Sequence, residues 1–225
     1  MENTNADIAY STLLEMISNR TILPGQKLIE NDLSIQLGMS RTPVREALRK
    51  LQHDGLVENI ANKGSFVKAY TFSEMADGYE IVSMLTGMAC RHIAMDPQKI
   101  ASSSFEELSS LIIKMDQAVL SSDKQTWVKL DIDFHKRIIE LAAIWQLTNT
   151  YSHLVVWINQ VLWHVTPIYV DIESSTNDHK KILQLLKDGL SDEAQQFAQS
   201  HQMKTVNIIR DISKQERSLF HIRNK

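Results

Sequence analysis

The segment from Ser40 to Val67, SRTPVREALRKLQHDGLVENIANKGSFV, constrains this chain more than any other. Val44, Ala47, Leu48 and Leu51 recur at three- and four-residue spacing, which gives a helix one apolar stripe for packing. Arg41, Arg45 and Arg49 are each four apart, so their guanidinium groups project along a flanking face near the positive N-terminal end of that helix. Such a group can donate two parallel hydrogen bonds to O6 and N7 of guanine in the major groove, which a lysine does less selectively. Thr42-Pro43 reads as the helix start, with proline at the first helical position, and Ser40 is the alternative cap.

The flanks complete a reading head. Leu28 to Leu37 (LIENDLSIQL) reads as a short helix ended by Gly38, and Met39-Ser40 is a tight link into the arginine helix. Helix, brief turn, helix is the arrangement that enters a groove of duplex DNA. After Gly55, Leu56–Ile60 and Ser65–Ala69 have strand character, with Asn62-Lys63-Gly64 as turn chemistry between them. A hairpin tipped by Lys63 can reach a phosphate or the minor groove.

From about Asp7 to Val67 the chain resembles the winged helix-turn-helix domain of GntR-family bacterial transcription regulators. The resemblance rests on Pro24-Gly25, Leu28, Leu33, Gly38, the run from Ser40 to Leu48, Leu51, the run from Asp54 to Val57, and Gly64. It implies DNA contacts by Arg41 and Arg45, by the hydroxyls of Ser40 and Thr42, and by the turn at Lys63-Gly64; Arg49 joins them on the same face. Where some members carry a His-Gly wing tip, this chain has Ala61-Asn62.

A length of 225 residues suits two domains, here expected at 1–70 and 71–225. The formal charge is −3, and residues 1–70 hold eight basic and eight acidic side chains. Attraction to DNA must therefore come from a local patch of Arg41, Arg45, Arg49, Lys50 and Lys63 rather than from bulk charge. Cys90 is the only cysteine, which excludes a disulfide framework and fits a reducing cytoplasm. The N-terminal residues lack a signal-peptide pattern, and no apolar run is long enough to span a bilayer, so a cytoplasmic protein without membrane contact is expected.

After Tyr70 the pattern turns helical. Thr71-Phe72-Ser73-Glu74 has the spacing of a capping box. Helices are expected at about Ser73–Met95, Ser104–Leu120, Lys124–Ala143, Gln146–His164, Asn177–Lys187 and Asp192–Lys214, with breaks at Ser121–Asp123, Pro167 and Asp188-Gly189 and with Ser191 as the last N-cap. The fold class is mainly α: a three-helix winged head followed by an antiparallel bundle of about six helices.

Within that bundle Asp131 and His135 are four apart and share a helix face, while His179 and His201 fall on two later helices. Three imidazoles and a carboxylate suit Zn²⁺, Ni²⁺ or Mn²⁺ and leave positions open for a ligand; Asp133 is a competing carboxylate. From about Ser73 to Ile212 the chain resembles the FCD ligand-binding domain of the FadR-type branch of the same family. Asp131, Phe134-His135, the run from His179 to Ile182, and Asp188-Gly189, Asp192, Ala194, Ala198 and His201 carry the likeness. It implies a metal held by Asp131, His135, His179 and His201.

Two departures are legible. Val82 and Thr86 stand where FCD domains usually carry an arginine and a glutamate, and Ile144-Trp145 replaces a frequent Asn-Pro. Val82, Thr86, Trp157 and Trp163 are thus candidate walls of a more apolar effector pocket. The resemblance implies a homodimeric regulator, in the first instance a repressor, that reads an inverted-repeat operator and responds to a small molecule bound near the metal. A regulator that senses the metal itself is one rival, and a metal-dependent hydrolase the other.

Overall fold

The structure, a computed structural model, describes residues 4–18 and 21–223; the side chains of 156–161, 163, 164, 167 and 216–223 lie outside that description. It divides into two compact units, residues 1–70 and 71–225. No described helix is long and apolar enough to cross a membrane.

The first unit contains α1 (Asn5–Ser18), β1 (Lys27–Leu28), α2 (Glu30–Leu37), α3 (Arg41–His53), β2 (Val57–Ile60) and β3 (Gly64–Val67). Ala9, Leu13 and Ile17 of α1 pack against α3, whose Val44, Ala47, Leu48 and Leu51 are all buried. Burying each such leucine or isoleucine contributes about 1.5–3 kcal/mol. That stripe fixes the rotation of α3 and turns its arginines outward.

Three local expectations need correction. First, α3 begins at Arg41 with Ser40 at the N-cap in extended geometry, φ −69° and ψ 164°, and without a side-chain capping bond. Pro43 is therefore the third helical residue, where its missing N–H is still one of the four that lack a helical acceptor. Second, Leu28 does not open the helix, which starts at Glu30, but ends a strand, Lys27–Leu28, paired with β3, Lys27 opposite Phe66 and Leu28 opposite Ser65, so the wing is a three-stranded antiparallel sheet in the order β1-β3-β2. Third, the wing strands are shorter than expected. The turn between them falls where expected, with its left-handed residues at Asn62 (φ 63°) and Gly64 (φ 95°) and the Lys63 N–H donating to the Ile60 carbonyl at 3.0 Å. Gly38 ends α2 at φ 64°, a value that favours glycine.

The second unit contains α4 (Phe72–Met95), a 3-10 turn (Pro97–Lys99), α5 (Ser102–Leu120), α6 (Lys124–Leu141), α7 (Trp145–Tyr169), α8 (Ile172–Lys187) and α9 (Ser191–Arg223). The capping box forms: Thr71 Oγ1 accepts from the Glu74 N–H at 3.2 Å, and the Glu74 carboxylate accepts from the Thr71 N–H at 2.9 Å. The longest packing seam joins α4 to α9, α5 packs on α6 and α8, and α7 packs on α4 and α6. Phe134, Ile138, Ile139, Ile182 and Leu186 are fully buried at its centre.

Here too the bounds differ from expectation. Helix α7 runs through Pro167 to Tyr169, giving up one backbone rung rather than ending. Helix α8 begins at Ile172, five residues before the expected start, because the Asp171 carboxylate accepts from the Ser174 N–H at 3.1 Å and caps it. Ser191 lies inside α9, whose backbone continues to Arg223.

Candidate functional site

On the first unit, Ser40 at the N-cap and Arg41, Thr42, Arg45 and Arg49 along α3 are all exposed, and Lys63 and Gly64 are exposed at the wing turn. Two of these arginines are held by neighbours on α2. Arg45 donates from Nε to Glu30 Oε1 at 3.0 Å and from Nη2 to Glu30 Oε2 at 2.8 Å, and Arg41 donates to Asn31 Oδ1 at 2.6 Å. Hydrogen bonding from Arg45 holds the Glu30 carboxyl below its usual range. Behind them Lys50 donates to Asp7 at 2.6 Å, and this bond brings the Asp7 carboxyl down to about 2. Sequence reasoning missed Glu30, Asn31 and Asp7, since spacing along one helix carries no signal of a partner on another.

In the bundle, α6 supplies Asp131 and His135, α8 supplies His179 and α9 supplies His201, and all four side chains are buried. His179 sits in the middle of α8, not at its start, and this central position carries it to the cluster. One ligand atom from each of the four lies within 4.8 Å of every other. Asp131 Oδ1 is 3.2 Å from His179 Nε2 and 3.7 Å from His135 Nε2, and the two Nε2 atoms are 3.3 Å apart. Donors on one cation with bonds of about 2.1 Å stand about 3.0–3.4 Å from each other, so the residues present fit a divalent transition metal. Asp133 is exposed and outside the cluster.

Burial governs the charge state. It pushes the His135 imidazole down to about 3, against the pull of Asp131, and holds His179 well below the ordinary histidine value. It also raises the Asp131 carboxyl, against the neighbouring His135 and His201. Neutral imidazoles are the form that ligates a metal. The rings of Phe134 and Trp127 lie 4.6 and 6.0 Å from that of His179, and Trp127 Nε1 donates to Thr176 Oγ1 at 2.7 Å, which stiffens this wall.

Around the cluster stand groups that sequence reasoning did not single out. Asp178 Oδ2 lies 3.0 Å from His201 Nδ1 and 2.5 Å from Lys204 Nζ. Burial works to raise the Asp178 carboxyl, but bonds from His201 and Lys204 outweigh it and bring it to about 2. The Gln202 amide nitrogen lies 3.2 Å from His135 Nδ1 and 3.3 Å from Thr86 Oγ1, while its buried oxygen has no hydrogen-bond partner among the described residues. Thr86 is thereby linked to the cluster, and Val82 is buried one turn earlier on α4. The side chains of Trp157 and Trp163 lie outside the described residues. A cleft of about 190 Å³ reaches His201, with Asp178, Lys204 and Thr205 among its walls.

A winged reading head joined to an all-helical unit with a buried ligating cluster is the plan of a DNA-binding regulator with a sensor half. Residues 5–67 match the family described as bacterial regulatory proteins, gntR family, and residues 77–203 match the FCD domain. The chain belongs to the GntR family of transcription regulators, in its FCD-bearing branch; these proteins are regulators, not enzymes. The Nta operon transcriptional regulator of Aminobacter aminovorans is 30% identical over 84% of this chain and 87% of its own length. The HTH-type transcriptional repressor RspR of Escherichia coli K12 is 24% identical over 94% of this chain and 91% of its own. Among solved structures, E. coli McbR/YncC superposes with a TM-score of 0.79 at 20% identity, covering 92% of this chain and 98% of that one, a likeness of fold. A GntR regulator from Rhodococcus sp. RHA1 gives 0.74 at 22% identity, covering 92% and 97%.

Proposed function

We propose that this protein is a cytoplasmic, homodimeric repressor whose operator affinity is set by a small molecule bound over a metal in the helical unit. In this reading Arg41, Arg45 and Arg49, with Ser40 and Thr42, face base edges and phosphates in the major groove, and Lys63-Gly64 reaches the backbone beside it. The observation that carries the DNA half is the rotation of α3: its apolar stripe is buried and its three arginines are exposed on a flanking face. A second copy of the chain supplies the second half-site of an inverted repeat. Ile81, Met84 and Met88 support the dimer, since they are about half exposed on one face of α4.

The metal is held by Asp131, His135, His179 and His201, with zinc, nickel or manganese as candidates. The effector completes its coordination and biases the bundle. A coupling of about 1–3 kcal/mol changes operator affinity roughly 5- to 150-fold. Val82 and Thr86, in place of charged residues, favour an effector that relies on the metal rather than on an arginine. Burial of the four ligating groups also suits a second reading, in which the metal ion is itself the signal.

Fluorescence anisotropy with DNA from upstream of the chain's own gene, with the metal-free and metal-loaded protein, tests this. Selective binding of one duplex over its scrambled version supports the reader, and binding without selectivity removes it. If metal alone switches affinity, the second reading holds.

A further inference from the structure

We propose that Asp178 and Gln202 are positioning residues that hold His201 and His135 with Nε2 turned toward the metal cluster. This rests on the metal reading above. An imidazole that binds a cation through Nε2 must carry its proton on Nδ1, and an acceptor placed at Nδ1 fixes both that tautomer and the ring's rotation.

His201 has such an acceptor. Its Nδ1 lies 3.0 Å from the Asp178 carboxylate, and Lys204 Nζ donates to the same oxygen from one turn further along α9. Asp178 is on α8, immediately before the ligand His179, so one stretch of helix delivers a ligand inward and a support to the ligand on the neighbouring helix. The carboxylate is only 14% exposed, which limits competition by water.

His135 is supported differently. Its Nδ1 faces the Gln202 amide nitrogen at 3.2 Å, the polarity of an imidazole whose proton is on Nε2. Gln202 Oε1 is buried and has no partner among the described residues. A half-turn of the amide exchanges its two ends. The oxygen then accepts from His135 Nδ1–H and from the Thr86 hydroxyl at once. A metal on His135 Nε2 therefore requires the amide oxygen at Nδ1, and the same oxygen would take up the Thr86 hydroxyl on α4. His179 differs from both: its buried Nδ1 has no hydrogen-bond partner among the described residues.

The test uses full-length protein, zinc alone competed against a chromophoric chelator, and nitrogen-15 NMR of the imidazoles in metal-free and zinc-loaded samples. Asp178→Asn and Gln202→Leu should each weaken zinc binding about 10- to 100-fold, and Asp178→Glu should recover part of the loss. Metal-free His201 should carry its proton on Nδ1 in the wild type and lose that preference in Asp178→Asn. His135 should move from the Nε2–H to the Nδ1–H form on loading. Unchanged zinc affinity and unchanged tautomers in both variants would overturn the proposal while leaving the metal site intact. A wild type that takes up no zinc, nickel or manganese overturns the metal reading, and the metal-free His201 tautomer then decides whether Asp178 orients that ring at all.

Discussion

Glu30 grips Arg45 side-on: Nε and Nη2 of the guanidinium each donate to a different carboxylate oxygen, at 3.0 and 2.8 Å. Of the five N–H groups of an arginine, this engages two along one edge and leaves the Nη1 end directed elsewhere. The pair orients the fork before DNA arrives. Arg45→Ala should cost about 1–3 kcal/mol of operator binding and relax discrimination at one base position. Glu30→Gln should act in opposite senses on two measurements, raising affinity for scrambled duplex by removing a negative charge while lowering the ratio of specific to nonspecific binding. Anisotropy titrations on both duplexes at several salt concentrations read this; a uniform gain on both would show that Glu30 contributes charge alone.

The metal cluster predicts stoichiometry. His179→Ala combined with His201→Ala removes two of four ligands on two helices, so purified protein should lose bound metal by elemental analysis. The single change Asp133→Asn should leave it unaltered, because Asp133 is exposed and outside the cluster. Equal metal in the double variant would place the site elsewhere.

Acid should weaken the metal-free fold. The unfolded chain protonates its histidines near 6.5, whereas burial holds His135 at about 3 and His179 well below the ordinary value. Between these limits the unfolded state binds more protons, so stability present above pH 6.5 is lost as pH falls toward 3. Asp131, pushed up by burial, acts in the reverse sense but is one group against two. Urea midpoints measured with chelator should fall from pH 7 to pH 5, and a flat profile would contradict the buried neutral imidazoles.

Phe134→Ala should destabilise the bundle by about 3–5 kcal/mol, the range for removing a fully buried aromatic side chain. Its ring also lies 4.6 Å from that of His179, so zinc affinity should fall in the same variant. Chemical denaturation and chelator competition measure the two effects separately.

The head was legible in the sequence because its signals are local. The apolar stripe of α3, the glycine at the end of α2 and the turn at Asn62–Gly64 each depend on neighbours a few residues away. Strand β1 was not legible, since two residues have no periodicity and exist as a strand only through pairing with β3. The start of α8 was hidden for a related reason: Ser174, Ser175 and Thr176 lie before the expected start at Asn177, yet Asp171 caps the helix and Thr176 bonds back to the Ile172 carbonyl at 2.7 Å. The ligand set came from spacing together with family resemblance. Asp178 and Gln202 escaped because what matters about them is which ring nitrogen on another helix they face.

The junction between the units lies at a single peptide bond. Tyr70 ties backward, its hydroxyl donating to the Gly55 carbonyl at 2.6 Å, and Thr71 ties forward into its capping box with Glu74. Chimeric regulators spliced between these two positions therefore keep both anchors, which makes the bond a natural crossover point for exchanging one reading head for another above an unchanged sensor.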